Sequence, residues 1–344
     1  MKEPVDVLII GAGQQGLALG ALVKKQERSL MILEAEKELG ARWRAHYDSL
    51  TLFTPRCFSA LPGLPFEGQA GACPTKDEFA DYLGRYAKHF ELPLIMGAKV
   101  TKLTKDTSFF TAETSQGSYY GKQVVIAAGY SSPRIPPFVP EHIPNVFSLH
   151  SAMYKNPRQI PPGRVLVVGN GNSAAQIAVE LSSSHDVEIA MHHVPFAIPR
   201  RILGKSFYWW GEHLGFHYIP SDSWFRKLVR RGPDPVVGRD LHRALAVGTI
   251  ARRPGVAAVE GSAIVFDDGS KAEYESVIWA TGFKNNLSWI HIPGAVDENG
   301  APVHRRGISP VQGLFFAGLQ DQITSVSSNI YGAAHISKYL AKHL

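Results

Sequence analysis

Short apolar runs that end at a glycine recur along this chain. Residues 5–10 are followed by Gly11, and residues 165–168 are followed by Gly169. Runs of four to six mostly apolar residues bounded by turn signals are typical of buried parallel strands. Beyond each glycine the sequence turns rich in alanine and leucine. The pattern therefore predicts a strand, a tight turn and a helix at both places.

The same reading predicts several other elements. Further strands are expected at residues 29–33, 124–129, 186–191, 277–282 and 314–318, and helices are expected from residue 75 or 76 onward and over 328–343. Strands that alternate with helices indicate an α/β fold. Because the second glycine turn lies between two strands that end in small residues and glycine, we predict two Rossmann-like dinucleotide-binding domains, one inserted into the other. The expected boundaries are 1–154 with 277–344 for the first domain and 155–276 for the inserted one.

The two glycine turns have the composition of dinucleotide-binding turns. The first reads Gly11-Ala-Gly13-Gln-Gln15-Gly16, and the second begins with Gly169 and Gly171. Glycine lets the backbone approach a pyrophosphate, and the helix that follows offers free N–H groups and a positive dipole end. One chain with two such turns favours two bound dinucleotides and electron transfer between them. Asn172 and Ser173, where the second helix begins, are further candidate cofactor contacts, or simple helix caps.

The residues that end the second strand of each unit suggest which dinucleotide binds. Glu34 lies 23 residues after Gly11, where a carboxylate binds ribose hydroxyls and repels a 2′-phosphate, so the first site suits FAD or NAD. The same count from Gly169 reaches His192, next to His193, with Arg200 and Arg201 further along. We therefore predict that the second site accepts both NADPH and NADH. The alternative is that both histidines are ordinary surface residues.

Composition narrows the function class. The chain has 344 residues, a net charge of +6 and 19% charged residues, which are the values of a globular protein. Its richest basic stretch, residues 226–231, is expected to be a solvated helix face, so no nucleic-acid partner is predicted. With no leader pattern and no apolar run of about 20 residues, we expect a cytoplasmic protein without an integral membrane segment. Cys57 and Cys73 lack C-x-x-C spacing, and no metal site is predicted.

Longer motifs make the chain resemble the flavin-containing monooxygenases, especially short bacterial flavoproteins of the CzcO type. The resemblance covers almost the whole chain. Besides the first glycine turn and Glu34 it rests on Gly40-Ala-Arg-Trp43, Leu52-Phe-Thr-Pro55, Pro74-Thr-Lys-Asp77, His150-Ser-Ala-Met-Tyr154, Gly169-Asn-Gly-Asn-Ser-Ala174 and Ala280-Thr-Gly-Phe283.

The resemblance implies an FAD enzyme that takes hydride from NADPH or NADH and then reacts with O2. A flavin C4a-hydroperoxide would pass one oxygen atom to a small-molecule substrate with a soft nucleophile, a sulfide or an amine. A homodimer is a family-level expectation. Further cofactor-binding candidates are Trp43, Ala128, Thr281, Gly282, Gln320 and Asp321. His150 and Tyr154 are four residues apart, so on a helix they share a face. They are expected to fix the hinge between the two domains and the position of the nicotinamide. The alternative is that they make an interdomain hydrogen bond without a chemical role.

Three departures from the family pattern leave alternatives open. Phe53 stands where many members place an asparagine over the flavin. No glycine intervenes between Phe147 and His150, and no arginine ends the second strand of the insert. The alternatives are an NAD(P)H-dependent reductase or oxidase that passes electrons to a quinone-like acceptor or to O2, and a redox-sensing flavoprotein that regulates a transporter. An aromatic run, residues 207–210 with nearby Phe216, Tyr218, Trp224 and Phe225, is expected to be a satellite core, a substrate-channel wall or a docking surface.

Overall fold

A computed structural model describes residues 3–130, 132–224 and 235–344. The basic stretch 226–231 and Phe225 lie outside these residues. The strands, in chain order, are β1 (Val5–Ile10), β2 (Leu30–Leu33), β3 (Leu94–Ile95), β4 (Val100–Lys105), β5 (Phe110–Thr114), β6 (Gly117–Ile126), β7 (Ser132–Pro133), β8 (Phe147–His150), β9 (Arg164–Val168), β10 (Asp186–Ala190), β11 (Ala197–Ile198), β12 (Arg201–Ile202), β13 (Lys205–Ser206), β14 (Val236–Val237), β15 (Ile250–Arg253), β16 (Val256–Glu260), β17 (Ala263–Phe266), β18 (Lys271–Glu273), β19 (Ser276–Trp279), β20 (Phe283–Lys284) and β21 (Leu314–Phe316).

The helices lie between these strands. They are α1 (Gln14–Lys25), α2 (Ala41–Arg44), α3 (Arg56–Ser59), α4 (Lys76–His89), α5 (Asn172–Leu181), α6 (Phe207–His213), α7 (Asp240–Ala246) and α8 (Gly332–Leu340), with single 3-10 turns at Pro157–Gln159 and Phe216–Tyr218. The helix expected from residue 75 or 76 is α4, which Thr75 and Glu78 cap reciprocally. None of the described helices is long and apolar enough to cross a membrane.

Two separate sheets organise the chain, as the α/β prediction with two nucleotide-binding units requires. The first has the order β3-β2-β1-β6-β5-β4, with β21 pairing parallel to β6. Its strands come from both ends of the chain. The second has the order β15-β10-β9-β19-β8, and all of its pairings are parallel. The second sheet is therefore inserted between the strands of the first.

The second sheet extends past both expected boundaries of the insert. Strand β8 precedes residue 155, and β19 occupies the segment that we had assigned to the first domain. Strand β19 pairs with β9, its Ile278 opposite Val167. The sequence analysis assigned β19 to the wrong domain because β6 and β19 are both short apolar runs that end in small residues. Only the pairing of each strand with its neighbours in a sheet distinguishes the two.

Part of the inserted segment lies against the first unit. Ser221 donates its backbone N–H to the Ile323 carbonyl at 2.8 Å and its hydroxyl to the Asp321 carbonyl at 2.5 Å. Arg306 binds Asp222 at 2.9 Å. These contacts bring the segment that contains α6 next to the loop that precedes α8.

Candidate functional site

The first glycine turn joins β1 to α1 and requires its glycines. Gly11 has φ of 109°, in the region that favours glycine, and a Cβ there would overlap the Ala127 carbonyl at the end of β6. A Cβ on Gly16 would overlap the Gly11 carbonyl. At Gly13, by contrast, a Cβ would meet nothing within 4 Å. The turn is therefore closed toward the protein and open at Gly13, where a pyrophosphate approaches in such turns.

Glu34 stands directly after β2 and contacts the same turn. Its carboxylate accepts the Ala12 N–H at 2.7 Å and the Glu36 N–H at 3.0 Å. A carboxylate has about four lone-pair positions, so two remain for ribose hydroxyls. The placement fits an adenosine ribose without a 2′-phosphate.

Gln15 has a structural contact in addition to its place in the turn. Its side chain is buried, and its amide nitrogen donates to the Ser327 carbonyl at 2.9 Å. Its amide oxygen has no hydrogen-bond partner among the described residues. Gln15 thus links the first turn to the loop that leads into α8.

The second glycine turn repeats the geometry of the first one. Gly169 has φ of 148°, and a Cβ there would overlap the Ala280 carbonyl at the end of β19. Gly171 is open like Gly13, with nothing within 4 Å of a Cβ. The small residues after β6 therefore pack against the first glycine turn, and those after β19 pack against the second.

Both helices that follow these turns begin without a side-chain cap. Gly13 and Gly171 occupy the N-cap positions of α1 and α5, and no side-chain cap is found at either among the described residues. The first N–H groups of a helix lack internal partners, so each start can bind an anion. The residues present thus fit one dinucleotide at each turn.

Asn172 and Ser173 do not cap their helix. The Asn172 side chain accepts the Val237 N–H at 2.8 Å and so holds β14 beside the start of α5. Ser173 is half-buried in the first turn of the same helix. Asn172 therefore has a protein partner.

His192 and His193 follow strand β10 of the second sheet, as Glu34 follows β2 of the first. His192 Nδ1 is 2.8 Å from the Asp267 carboxylate, and the His193 carbonyl accepts the Asn170 side-chain N–H at 2.7 Å. The sequence reading missed Asp267 because it follows β17, remote from the turn in sequence. The second unit thus has a carboxylate near the end of β10, as the first unit has Glu34 after β2. The carboxylate of Asp267 contacts His192 and does not itself follow β10 in the sequence.

Arg200 and Arg201 are both exposed but face different neighbours. Arg200 is 3.5 Å from Asp240 and lies beside Gly238, close to β14 and the start of α5. Arg201 donates to the Gly71 carbonyl at 3.5 Å, in the first unit. Arg200 is therefore the better placed of the two for the second nucleotide.

His150 and Tyr154 do not share a helix, because His150 ends strand β8. His150 Nδ1 accepts the Ala152 N–H at 3.1 Å, and Nε2 lies 3.0 Å from the Gly282 carbonyl, to which it donates. Burial lowers the pKa of this imidazole. A neutral ring with both nitrogens engaged is suited to positioning Gly282, and proton transfer by it would break these bonds.

Tyr154 is fully buried against the second unit. Its hydroxyl donates to Glu180 at 2.9 Å, and its ring lies 6.2 Å from that of Tyr47, whose hydroxyl donates to Gln176. Glu180 is eight residues into α5, roughly 12 Å along the axis from its start at 1.5 Å per residue. This distance supports an anchoring role for Tyr154 away from the nucleotide.

Phe53 belongs to an aromatic cluster, which we define as Phe53, Phe58, Tyr208, His217 and Tyr331. Tyr208 and Tyr331 are buried, and Phe53 and Phe58 pack against them. The Tyr208 hydroxyl shares a hydrogen bond with the Thr54 side chain. Part of the aromatic run, Tyr208, thus lies in a small satellite core, as expected. The other members of this core include Phe53, Phe58 and Tyr331 of the first unit.

The remaining candidates lie at separate places in the structure. Trp43 packs edge-on against Phe79 at 4.9 Å, and the Thr281 hydroxyl donates to the Arg134 carbonyl. The Gln320 N–H donates to the Tyr130 hydroxyl at 2.8 Å, and Asp321 has φ of 50°. Ala128 lines a small pocket at the carboxyl edge of the first sheet, together with Ile126, Gly129, Asn285, Leu287, Phe316, Ala317, Gly318 and Leu319.

Comparisons with known proteins show that the chain is similar to oxidoreductases and flavin monooxygenases. Residues 8–198 match the family described as pyridine nucleotide-disulphide oxidoreductase. The chain is 42% identical over 341 residues to an uncharacterized CzcO-like oxidoreductase of Geobacillus kaustophilus, covering 99% of this chain and 98% of that one. It is 29% identical over 336 residues to a probable indole-3-pyruvate monooxygenase of Arabidopsis thaliana, covering 86% of this chain and 80% of the relative. The solved flavin-containing monooxygenase from Stenotrophomonas maltophilia superposes with a TM-score of 0.81 at 26% identity, covering 99% and 98% of the two chains.

Proposed function

The chain belongs to the CzcO-like oxidoreductases of the pyridine nucleotide-disulphide oxidoreductase family, and from this premise we propose that it is an FAD-dependent monooxygenase. It would use NADPH or NADH and O2 to oxygenate a sulfide or an amine. The observation that carries the proposal is the pair of open, uncapped glycine turns on two sheets of one chain. FAD supplies the redox chemistry, and the protein supplies binding, orientation and exclusion of water.

The roles of the chain's own residues follow from their contacts. Gly11, Gly13 and the start of α1 would hold the FAD pyrophosphate, and Glu34 its ribose. Gly171 and the start of α5 would hold the nicotinamide dinucleotide, with Asn172 keeping β14 at its side. The aromatic cluster would exclude water from the reacting side of the flavin, which protects a reactive intermediate from hydrolysis.

Rapid mixing tests the proposal directly. The FAD-loaded protein is reduced by NADPH or NADH without oxygen and then mixed with O2, while its absorbance and the H2O2 released are followed. A lasting intermediate that differs from oxidised flavin, followed by an oxygenated product when a sulfide or amine is added, is the expected result. Immediate reoxidation with one H2O2 per flavin, whatever substrate is present, would contradict oxygenation.

One observation favours a second function, an NAD(P)H oxidase or reductase. Phe53 has no amide that could donate a hydrogen bond beside the flavin, and it packs within the aromatic cluster. Without such a donor, reduction of O2 to H2O2 would be favoured over oxygen transfer. The rapid-mixing experiment separates the two functions, because an oxidase gives immediate reoxidation with one H2O2 per flavin whether or not a sulfide or amine is present. A quinone added in place of O2 then tests the reductase.

A further inference from the structure

Exposed apolar side chains are concentrated in one part of the inserted segment. Among the described residues, fourteen large apolar side chains are exposed, and eight of these lie within residues 194–224. Single exposed apolar residues are ordinary on a protein surface, whereas contiguous ones mark a place where the protein meets a partner. The concentration therefore indicates an interaction surface, provided that the side chains lie together.

A hairpin and the helix after it bring several of these side chains together. Strands β12 and β13 pair with Ile202 opposite Lys205, and Leu203 forms the tip of the hairpin, where it is 86% exposed. Nε1 of Trp210 in α6 donates to the Ile202 carbonyl at 2.9 Å, so the helix lies against the hairpin. The exposed Leu214 ends α6 four residues after Trp210, on the same side of the helix. We call the surface formed by Ile202, Leu203, Trp210 and Leu214 the hairpin surface.

The other side of α6 faces the protein. Tyr208 and Gly211 are buried, and Gly211 packs against the His217 ring. Tyr208 belongs to the aromatic cluster. The helix is therefore held by the cluster on one side and is apolar on the side that it turns outward. A short segment with this division is typical of a protein that attaches to a membrane surface without crossing it.

The charges beside the hairpin surface are cationic. Lys205 Nζ lies 5.4 Å from the ring centre of Trp209, and Arg201 is exposed at the base of the hairpin. Neither Lys205 nor Arg201 forms an ion pair within the described part of the chain. The acid of α6, Glu212, is turned inward, because one of its oxygens accepts the Tyr218 hydroxyl and the other is buried. The surface thus presents apolar side chains and uncompensated positive charge together.

We propose that the hairpin surface binds a phospholipid membrane that contains anionic lipids. The apolar tip would enter the boundary between headgroups and acyl chains, the tryptophans would lie at headgroup level, and Arg201 and Lys205 would meet lipid phosphates. A second copy of this chain complements the surface less well. A two-fold pair formed through it would bring Arg201 and Lys205 of both copies into one interface, where like charges repel.

Sedimentation with lipid vesicles tests the proposal on the FAD-loaded protein. Binding is measured to vesicles of phosphatidylcholine alone and to vesicles of equal parts phosphatidylcholine and phosphatidylglycerol. We expect binding to the anionic vesicles to be at least about tenfold tighter, since each cation near an anionic surface contributes about fivefold. Failure to bind the anionic vesicles would overturn the proposal. Vesicle binding needs neither NAD(P)H nor O2, so its outcome is independent of the proposed function.

A variant of the hairpin tip distinguishes insertion from general attraction of a cationic protein. Leu203 has φ of 49°, where asparagine is tolerated, so Leu203→Asn should keep the melting temperature while removing the apolar tip without a change of charge. It should lower the affinity for anionic vesicles at least about fivefold. Val247→Asn removes an apolar side chain that is 70% exposed after α7 and should retain the affinity. Equal affinities of the two variants would overturn the proposal.

A lysine pair tests the charge contribution in the same way. Lys205→Gln should lower the affinity for anionic vesicles about fivefold. Lys99→Gln, which removes an exposed lysine before β4, should change it far less. Equal losses would mean adsorption through the net charge and would contradict binding by the hairpin surface.

The mass of the protein in solution tests the competing partner. Light scattering of the wild type and of Leu203→Asn should give the same oligomeric state. A dimer that dissociates in Leu203→Asn would assign the hairpin surface to a second copy of the chain and overturn the proposal.

Discussion

Asp267 is the single residue that most affects the expected cofactor preference. Its carboxylate is 2.8 Å from His192 at the edge of the second nucleotide site. A carboxylate near the adenosine ribose disfavours a 2′-phosphate. We expect Asp267→Asn to raise kcat/KM for NADPH relative to NADH by about threefold to tenfold, since the removed charge repels the phosphate. Steady-state reduction with each cofactor measures this ratio.

The control for this variant removes a carboxylate from the first unit. Asp106 lies in an exposed turn after β4. Asp106→Asn should therefore leave the ratio of kcat/KM for NADPH to that for NADH unchanged. If Asp267→Asn behaves like Asp106→Asn, then Asp267 does not face the cofactor.

Glu188 is the residue on which the second sheet depends for acid stability. It is buried and accepts hydrogen bonds from Arg253 at 2.6 Å and Tyr274 at 2.5 Å, with Arg164 at 3.2 Å. Burial alone would raise its pKa, but these hydrogen bonds outweigh burial and lower the pKa to about 2. The stabilisation is therefore complete above the ordinary pKa of a glutamate and is lost as the pH falls from about 4.5 toward 2.

Glu188→Gln should lower the free energy of unfolding by about 2 kcal/mol at pH 7. The arginine partners are partly exposed, so water screens some of the interaction. Urea unfolding measures the loss. Glu260→Gln is the control, because its pair with Lys271 is exposed on both sides and should contribute well under 1 kcal/mol. Equal effects of the two changes would refute the role of burial.

At the scale of elements, the two strand–turn–helix units allow one matched experiment. Gly11→Ala and Gly169→Ala each place a Cβ against the carbonyl that ends a neighbouring strand, at a positive φ. We expect Gly11→Ala to lose bound FAD and its yellow colour. Gly169→Ala should keep FAD but slow flavin reduction by NAD(P)H at least tenfold, because its distorted turn lies at the other site.

Flavin content and anaerobic reduction rates measure both effects. Gly117→Ala is a control at a positive φ of 108° in a hairpin with open space around it, and it should lose some stability without loss of either cofactor. Loss of FAD from Gly169→Ala would contradict the assignment of one cofactor to each turn.

At the scale of the whole molecule, buried and half-buried histidines set the response to mild acid. Burial lowers the pKa of five of them, His46, His150, His217, His304 and His335. In the unfolded chain these rings take up protons as the pH falls below about 6.5. The unfolded state then binds more protons than the folded state, so stability falls as the pH decreases from about 6.5.

The melting temperature should therefore decrease from pH 7.5 to pH 5.5, well above the range in which Glu188 titrates. His335→Gln should make this decrease smaller, whereas His343→Gln, an exposed residue near the same helix, should not. A melting temperature that is constant over this interval would contradict the prediction.

Elements whose signal is local are predictable from the sequence alone. The glycine turns, Glu34 after β2, the capped start of α4 and the apolar runs of the central strands are all visible in short windows, since turn sterics, capping and burial of a strand act between near neighbours. The motifs also identified the family, because they cover nearly the whole chain.

Contacts between distant segments become visible only in the folded chain. The endings of β6 and β19 look alike in sequence, yet each lies against a different glycine turn, and strand pairing alone assigns them. Asp267 reaches His192 across 75 residues, and Tyr331 reaches Phe58 and His217 from the far end of the chain. Such contacts arise from packing between distant segments, which leaves no periodic trace in the sequence. For that reason the two strand–turn–helix units were predictable, and the aromatic cluster was not.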